Sequence, residues 1–569
     1  MADRADGPDR DGARDAARPG LWFSTVEACR DGWTLLRHRG PGQVQFWFIA
    51  LAIGIAAGFA ALGFRVGINR LQAFLYGTDD PSHLGSFAAS LPWWWVLSLP
   101  ILGGLTVGII LDRFTPDGRV RSVADVIEGA AMRGGRVEKR AGLASAAASL
   151  ITLSSGGSTG REGPVVHLAA VISAWVCNLI RADGITGRDL LGCAVAAAVS
   201  ASFNAPIAGA LFALEVVLRH FALHAFAPIV IASAAGTVIT RSTLGDVTEF
   251  RLAEEGMLAF YAELPAFVLL GLVCGLVAVV MMRAIFLADD AGDALCRITG
   301  TPGWARPALA GALLGAIAIP FPYMIGVGYE TTSDALTGKL GLADVIVFAA
   351  VKVAAVAITM GGRMGGGVFS PSLMIGALTG LGFGIVATGL FPNVSGAETL
   401  YALAGMGAVS AAVLGAPIST TLIVFELTGD WQTGLAVMVA VSLSTALASR
   451  LVDRSFFLTQ LERKGVHLAA GPQAYLLAMV RVGALMRGSD HPAAAPEDRA
   501  RALIEDGVMI EREATLEDAM PLFDRAGAFV PVIERGGEDG PRLVGALFQI
   551  DALRAYNRAL AATAAEEHS

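Results

Sequence analysis

Long uncharged stretches dominate the chain between residues 41 and 450. Eight runs, 41–64, 141–160, 163–180, 190–214, 264–282, 307–329, 364–397 and 399–425, are each long enough for a membrane-crossing helix, which needs about 18–20 apolar residues at a rise of about 1.5 Å each. Four less extended runs lie at 94–111, 225–240, 343–351 and 434–449. Glycine and proline interrupt the pattern at 156-GGSTGREGP-164, 203-FNAPIAG-209, 361-GGRMGGGVFSP-371 and 415-GAPIS-419. Breaks at membrane depth survive only where they are buried in protein or face a water-filled cavity, so the pattern predicts helices that stop partway across. After Gly465 the period changes. A helix over 515–527, a strand over 529–534, a Gly-rich turn, a strand over 542–548 and a helix over 550–560 describe a small α/β unit. Thr515 with Asp518 forms a capping box at its first helix.

Composition narrows this picture. Charged residues make up 16% and hydrophobic residues 54% of the 569 positions, against about 25% charged in soluble domains. The 68 glycines are a surplus, and with a net charge of only −8 and no Gly-X-Y period they fit neither a disordered chain nor collagen. The five cysteines are dispersed, with no CxxC, no metal-ligand spacing and no disulfide framework. Residues 1–40 mix Arg and Asp and are not a signal peptide. The segment 112–140, with Arg113, Arg119, Arg121, Arg133, Arg136, Lys139 and Arg140, is expected to face the cytoplasm with them. Trp47 and Trp93, Trp94 and Trp95 fit interfacial belts or helix packing equally well. No nucleic-acid module is visible.

The chain also repeats itself. The stretch 198-AVSASFNAPIAGALFALE-215 parallels 408-AVSAAVLGAPISTTLIVFE-426, and a Gly-x-x-x-Pro break precedes each, 160-GREGP-164 and 367-GVFSP-371. Two half-chains with broken helices at matching places imply repeats that meet at a midplane site. The fold class expected is therefore an all-α polytopic membrane protein, an inverted repeat of two halves with many partially spanning helices, followed by a small α/β domain.

The strongest local chemistry is 160-GREGP-164. A charged residue in the bilayer costs about 2.5–3.5 kcal/mol or more unless it meets a cavity or partner, yet Arg161 and Glu162 stand side by side at a helix start. A helix N-terminus offers unpaired N–H groups and about half a positive charge. It can hold an anion, or a carboxylate in its place; the bland alternative is a glutamate that caps its own helix and pairs with Arg161. The matching break, 367-GVFSP-371, has no acid. Two convergent helix starts suit an anion better than a cation, which would want carbonyl ends and several carboxylates.

The ordered set of GREGP, GxFxP and the paired API…E segments resembles the CLC family of chloride channels and chloride/proton antiporters over roughly residues 41–467, and the C-terminal unit resembles a CBS (cystathionine-β-synthase-type) domain. The resemblance divides the chain into a cytosolic segment 1–40, a transport domain 41–467 and a cytosolic CBS-like domain 468–569 whose clear half is 511–562. It implies chloride and proton transport by a homodimer with one pathway per subunit, in the bacterial inner membrane with both termini cytoplasmic. It makes Glu162 the gating, proton-carrying glutamate. Ser122, Gly160, Arg161, Gly163, Val368, Phe369 and Phe457 join it as the anion-binding set. It calls for no metal, no catalytic residue and no cofactor. An adenine nucleotide at the CBS-like unit is a weaker expectation than a structural dimer contact, with 481–488 as the start of a shortened second half.

Three departures from the family pattern bear on mechanism. Ser122 is followed by Val123, Ala124 and Asp125 rather than Gly-Ile-Pro, and that carboxylate repels an inner anion unless it turns away to cap its helix. Phe457 replaces the central tyrosine, removing a hydrogen bond of about 1.5–3 kcal/mol for a charged acceptor. Val216 stands where antiporters often carry an internal proton glutamate, after Glu215, which leaves passive conduction as the alternative to antiport. Keeping Ser122 argues against the fluoride-exporting branch. Glu215 and Glu426 occupy matching repeat positions and are expected to be caps or interhelical partners; His167 is expected to be packed and neutral, and Lys352 and Arg363 either raise the positive potential or snorkel. An intramembrane enzyme built on Glu162 and His167 lacks a nucleophile–base pair or metal cluster. A divalent-cation carrier lacks carboxylates.

Overall fold

The computed structural model describes residues 42–78, 83–221, 223–245, 250, 260–466, 468, 477, 480–535 and 541–567. Residues 1–40 lie outside them. The first half contains α1 (Gln43–Tyr76), α2 (Trp93–Phe114), α3 (Val123–Met132), α4 (Lys139–Ser155), α5 (Glu162–Ile180), α6 (Gly184–Phe203), α7 (Pro206–Phe212, continued as a π-turn over Ala213–Leu218) and α8 (Leu223–Leu244). The second contains α9 (Phe260–Thr299), α10 (Arg306–Ala318), α11 (Leu342–Gly361), α12 (Phe369–Leu390), α13 (Glu398–Leu414), α14 (Pro417–Thr428), α15 (Trp431–Leu451) and α16 (Phe456–Arg463).

Among the described residues, eight helices are long and apolar enough to cross a membrane. The runs read as less extended, 94–111, 225–240, 343–351 and 434–449, lie inside four of these, because their ends carry charges such as Asp112, Arg241, Asp344 and Arg450. Conversely, 190–214 and 399–425 are each two helices. Asn204 and Gly415, in left-handed conformation, end α6 and α13, and Pro206 and Pro417 start α7 and α14 at the first helical position, where proline's missing N–H is harmless.

The two halves repeat one another in packing. The long α1 lies against α6 and α8, and its counterpart α9 lies against α13 and α15. Part of the glycine surplus serves close approach rather than helix breaks: a Cβ on Gly376 or Gly380 of α12 would fall 2.4 Å from the carbonyl of Gly405 or 2.1 Å from that of Tyr401 on α13.

The C-terminal unit is a four-stranded sheet in the order β1 (Arg487–Gly488), β4 (Pro541–Phe548), β3 (Phe529–Arg535), β2 (Ile510–Glu511), with β2 parallel to β3 and the other pairs antiparallel. The helix read over 515–527 is capped by Thr515 and Asp518 and tightens to 3₁₀ at Met520–Leu522, where Pro521 removes a donor. Residues 487–488 form an edge strand of this same sheet.

Candidate functional site

The two Gly-x-x-x-Pro breaks meet. Gly160 donates to the Gly367 carbonyl at 2.7 Å and Gly367 donates back at 2.8 Å, an isolated antiparallel bridge between repeat-matched positions. Thr159 Oγ1 adds a bond to the same Gly367 carbonyl at 2.9 Å. Only glycine fits beside it: Gly366 has φ +117°, and a Cβ there would lie 2.1 Å from Thr159 Oγ1. The bridge brings the N-termini of α5 and α12 together with their unpaired N–H groups.

Glu162, the first residue of α5, is 2% exposed and lies between these ends. Ser370 of α12 donates its hydroxyl to Glu162 Oε1 at 2.5 Å and its backbone N–H to Oε2 at 3.4 Å. Arg161 Nε is 3.9 Å from Oε1. The rest of the Arg161 guanidinium is engaged elsewhere, donating to the Ser202 carbonyl at 3.3 Å and standing 5.1 Å over the Tyr329 ring. A buried carboxylate held by helix-start donors is what an anion-competent seat looks like when filled from within the chain.

Ser122, Glu162, Gly163, Val368, Phe369 and Phe457 line one cavity. Gly160 and Arg161 do not reach it; the amide of Gly160 is spent on Gly367, and Arg161 turns toward Ser202. The room for the centre of a water-sized sphere is about 10 Å³ here, near the minimum for one water. An adjoining space of about 80 Å³ on the side of Arg119, Arg363, Arg463 and Lys464 shares Ser122 and Gln460 with it. The route is thus a constriction that opens toward a mouth lined by these four cations and Asp289. Aromatic rings wall it: Phe369 packs against Phe203 at 4.7 Å and Phe212 at 5.9 Å between centroids, and Phe456 against Phe457 at 5.9 Å.

Asp125 turns away from the route. Its Oδ2 accepts the Ser122 N–H at 2.7 Å, closing a capping box on α3, and its Oδ1 pairs with Lys464 at 2.7 Å. α3 is not among the spanning helices. Burial opposes ionisation of Asp125, but the Lys464 charge and hydrogen bond outweigh it and hold the carboxyl below the usual range. His167 is buried, with Nδ1 3.3 Å from the Ser122 carbonyl. Lys352 is wholly buried, its ammonium donating to the carbonyls of Met324, Gly326 and Val327 at 3.2–3.5 Å. Arg363 pairs with Asp293 at 2.6 Å. Val216 is buried.

Two site residues escape sequence reasoning. Ser370 is the unspecified position of the GxFxP pattern, and its signal is only that it precedes Pro371. Gln460 lies one turn after Phe457 on the same helix face and accepts the Ser122 hydroxyl at 3.0 Å.

The fold and the crossed helix starts define a class, the broken-helix anion transport proteins of the membrane. Residues 103–449 match the family described as voltage gated chloride channel. A ClcB-like chloride channel protein of Ralstonia nicotianae is 32% identical over 396 residues, covering 69% of this chain and 91% of that protein. The voltage-gated ClC-type chloride channel ClcB of Escherichia coli is 29% identical over 419 residues, covering 72% and 97%. The crystal structure of a slow cyanobacterial Cl⁻/H⁺ antiporter superposes with a TM-score of 0.65 at 21% identity, covering 74% of this chain and 98% of that one. The chain belongs to the CLC family of voltage-gated chloride channels and antiporters, and it is a multi-pass membrane protein.

Proposed function

We propose that this protein exchanges chloride for protons across the bacterial inner membrane, with Glu162 as the group that alternately fills the anion seat and carries the proton. The observation that carries this reading is the Glu162 carboxylate itself. It is buried at the constriction, accepts from Ser370, and lies where the starts of α5 and α12 converge. In that position it excludes an anion by occupying the donors an anion would use. On protonation it loses its charge and its claim on those donors, so anion entry and proton uptake are linked through one side chain. The route's lining is then Ser122, Gly163, Val368, Phe369 and Phe457 around Glu162, with Gly160 and Arg161 shaping the seat.

Passive conduction is the second reading, and the observation favouring it is Val216. No side chain there can take a proton from the cytoplasmic side, so antiport in this chain needs water to carry that step. The test is a liposome with a chloride gradient and no proton gradient. Uphill proton movement abolished by Glu162→Ala supports exchange; rapid chloride flux without proton movement refutes it in favour of a channel.

A pathway in each of two subunits, cytoplasmic termini and a CBS-like role for the sheet at 487–548 complete the proposal. Basic residues gathered at the wide mouth support the orientation. The strand–helix–strand–strand–helix order of 510–567 supports the CBS-like reading. The domain is assigned to contact between subunits rather than to an adenine nucleotide.

A further inference from the structure

Phe457 presents no donor to the anion route, and the hydroxyl of Ser122 is turned to another use. The Ser122 oxygen already accepts the Ala124 N–H at 3.3 Å, as the cap of α3. Its single proton has two acceptors in reach, Gln460 Oε1 at 3.0 Å and Asp125 Oδ2 at 3.4 Å. The second is already bound by the Ser122 backbone N–H at 2.7 Å. With the proton on the shorter contact, the carboxamide's oxygen faces Ser122 and its nitrogen the far side. The two N–H groups of Gln460 Nε2 meet no protein acceptor among the described residues. Gln460 lines both the constriction and the wider space next to it, where Ser122 and Phe456 also stand.

We propose that Gln460 is the side-chain donor of the inner anion site, its carboxamide N–H₂ replacing both the hydroxyl that Phe457 lacks and the one that Ser122 has given up. The ligand class is a small monovalent anion, and the probe is chloride. Ser122 acts as a positioning residue that holds the carboxamide's oxygen and so aims its nitrogen. Gln460 follows Phe457 by three positions, nearly one helical turn, so a hydroxyl at 457 and an amide at 460 reach the same space from the same face. The inference rests on the anion pathway proposed above.

The test is chloride binding by calorimetry on the purified full-length protein, with chloride efflux from liposomes as the companion measurement. Gln460→Leu is expected to weaken chloride binding by about tenfold or more, the loss of one hydrogen bond to a charged acceptor. Adding Phe457→Tyr to Gln460→Leu is expected to recover most of that affinity, a rescue that a merely structural role would not produce. Gln460→Glu, of the same shape but without donors when ionised, is expected to abolish binding at neutral pH. If Gln460→Leu does not fold, Gln460→Met is the substitute with the same reach. Unchanged chloride affinity in Gln460→Leu, or a loss that Phe457→Tyr leaves unrepaired, overturns the assignment while wild-type efflux persists. Absence of chloride efflux from the wild type overturns the transport reading itself.

Discussion

Glu215 and Glu426 cap each other's half of the molecule. Glu215, in the π-turn after α7, accepts the N–H groups of Ile418 and Ser419 at 2.9 and 2.8 Å and the Ser419 hydroxyl at 2.6 Å, all at the start of α14. Glu426, in α14, accepts the N–H groups of Ile207 and Ala208 at 3.0 and 2.8 Å at the start of α7. Repeat-matched carboxylates thus cross over and neutralise the orphan donors of the opposite repeat. Glu215→Ala leaves three donors without an acceptor and is expected to lower stability by at least about 1–3 kcal/mol. Glu215→Gln, which keeps one carbonyl oxygen, is expected to lose less. Thermal unfolding in detergent reads both; an unshifted midpoint for the alanine variant refutes the capping role.

Ser370 holds the Glu162 carboxylate in its seat. Ser370→Ala removes a hydrogen bond to a charged group, about 1.5–3 kcal/mol, and tips the competition toward the external anion. Chloride affinity and turnover are expected to rise together, by roughly tenfold or more in each. Calorimetry and efflux measured on one preparation check this, and slower efflux in Ser370→Ala speaks against a restraining bond.

Gly366→Ala places a side chain at φ +117° and 2.1 Å from Thr159 Oγ1. Strain of this kind costs about 1–3 kcal/mol before the clash is counted. Gly160→Ala is subtler: its Cβ would lie 2.7 Å from Glu162 Oε2 and push the carboxylate off its seat. The first variant is expected to lose stability. The second is expected to lose the dependence of flux on Glu162, so that adding Glu162→Ala to Gly160→Ala changes efflux less than Glu162→Ala alone does.

Asp125 predicts a pH dependence. Its folded carboxyl titrates below the usual range because of Lys464, so its contribution to stability is fully present above the unfolded value near 4 and is lost as pH falls through the lower folded value. Asp125→Asn is expected to melt below the wild type at pH 7, with the gap closing as the pH drops below about 4. Melting curves across that range decide it. A gap independent of pH removes the ion pair from the account.

The sequence announces what is local and hides what is brought together. GREGP and GVFSP mark helix starts because Gly, Pro and a buried charge leave a signature within five residues. The cross-capping was half legible: the repeat paired Glu215 with Glu426 as structural positions, but not that each serves the opposite helix, more than 200 residues away. Asp125 turns toward Lys464 across 339 positions, and Ser122 meets Gln460 across 338. No periodicity reports such distances. The sequence left Asp125 either to repel an anion or to cap its helix; the cap forms, and the pairing with Lys464 is the part the sequence hid. Gln460 went unread because a polar residue on the short, amphipathic α16 looks like an exposed face until α3 is packed against it.

The bridge between Gly160 and Gly367 limits how the passage can open. Drawing the two helix ends apart would strand two backbone donors and two carbonyls in a buried place, at about 1–3 kcal/mol for each unsatisfied group. Swinging Glu162 aside breaks its two bonds to Ser370 and its 3.9 Å pairing with Arg161. The frame is stitched shut at its narrowest point, and under the function proposed above each transport event is a side-chain rotation inside a fixed aperture rather than a parting of the two halves.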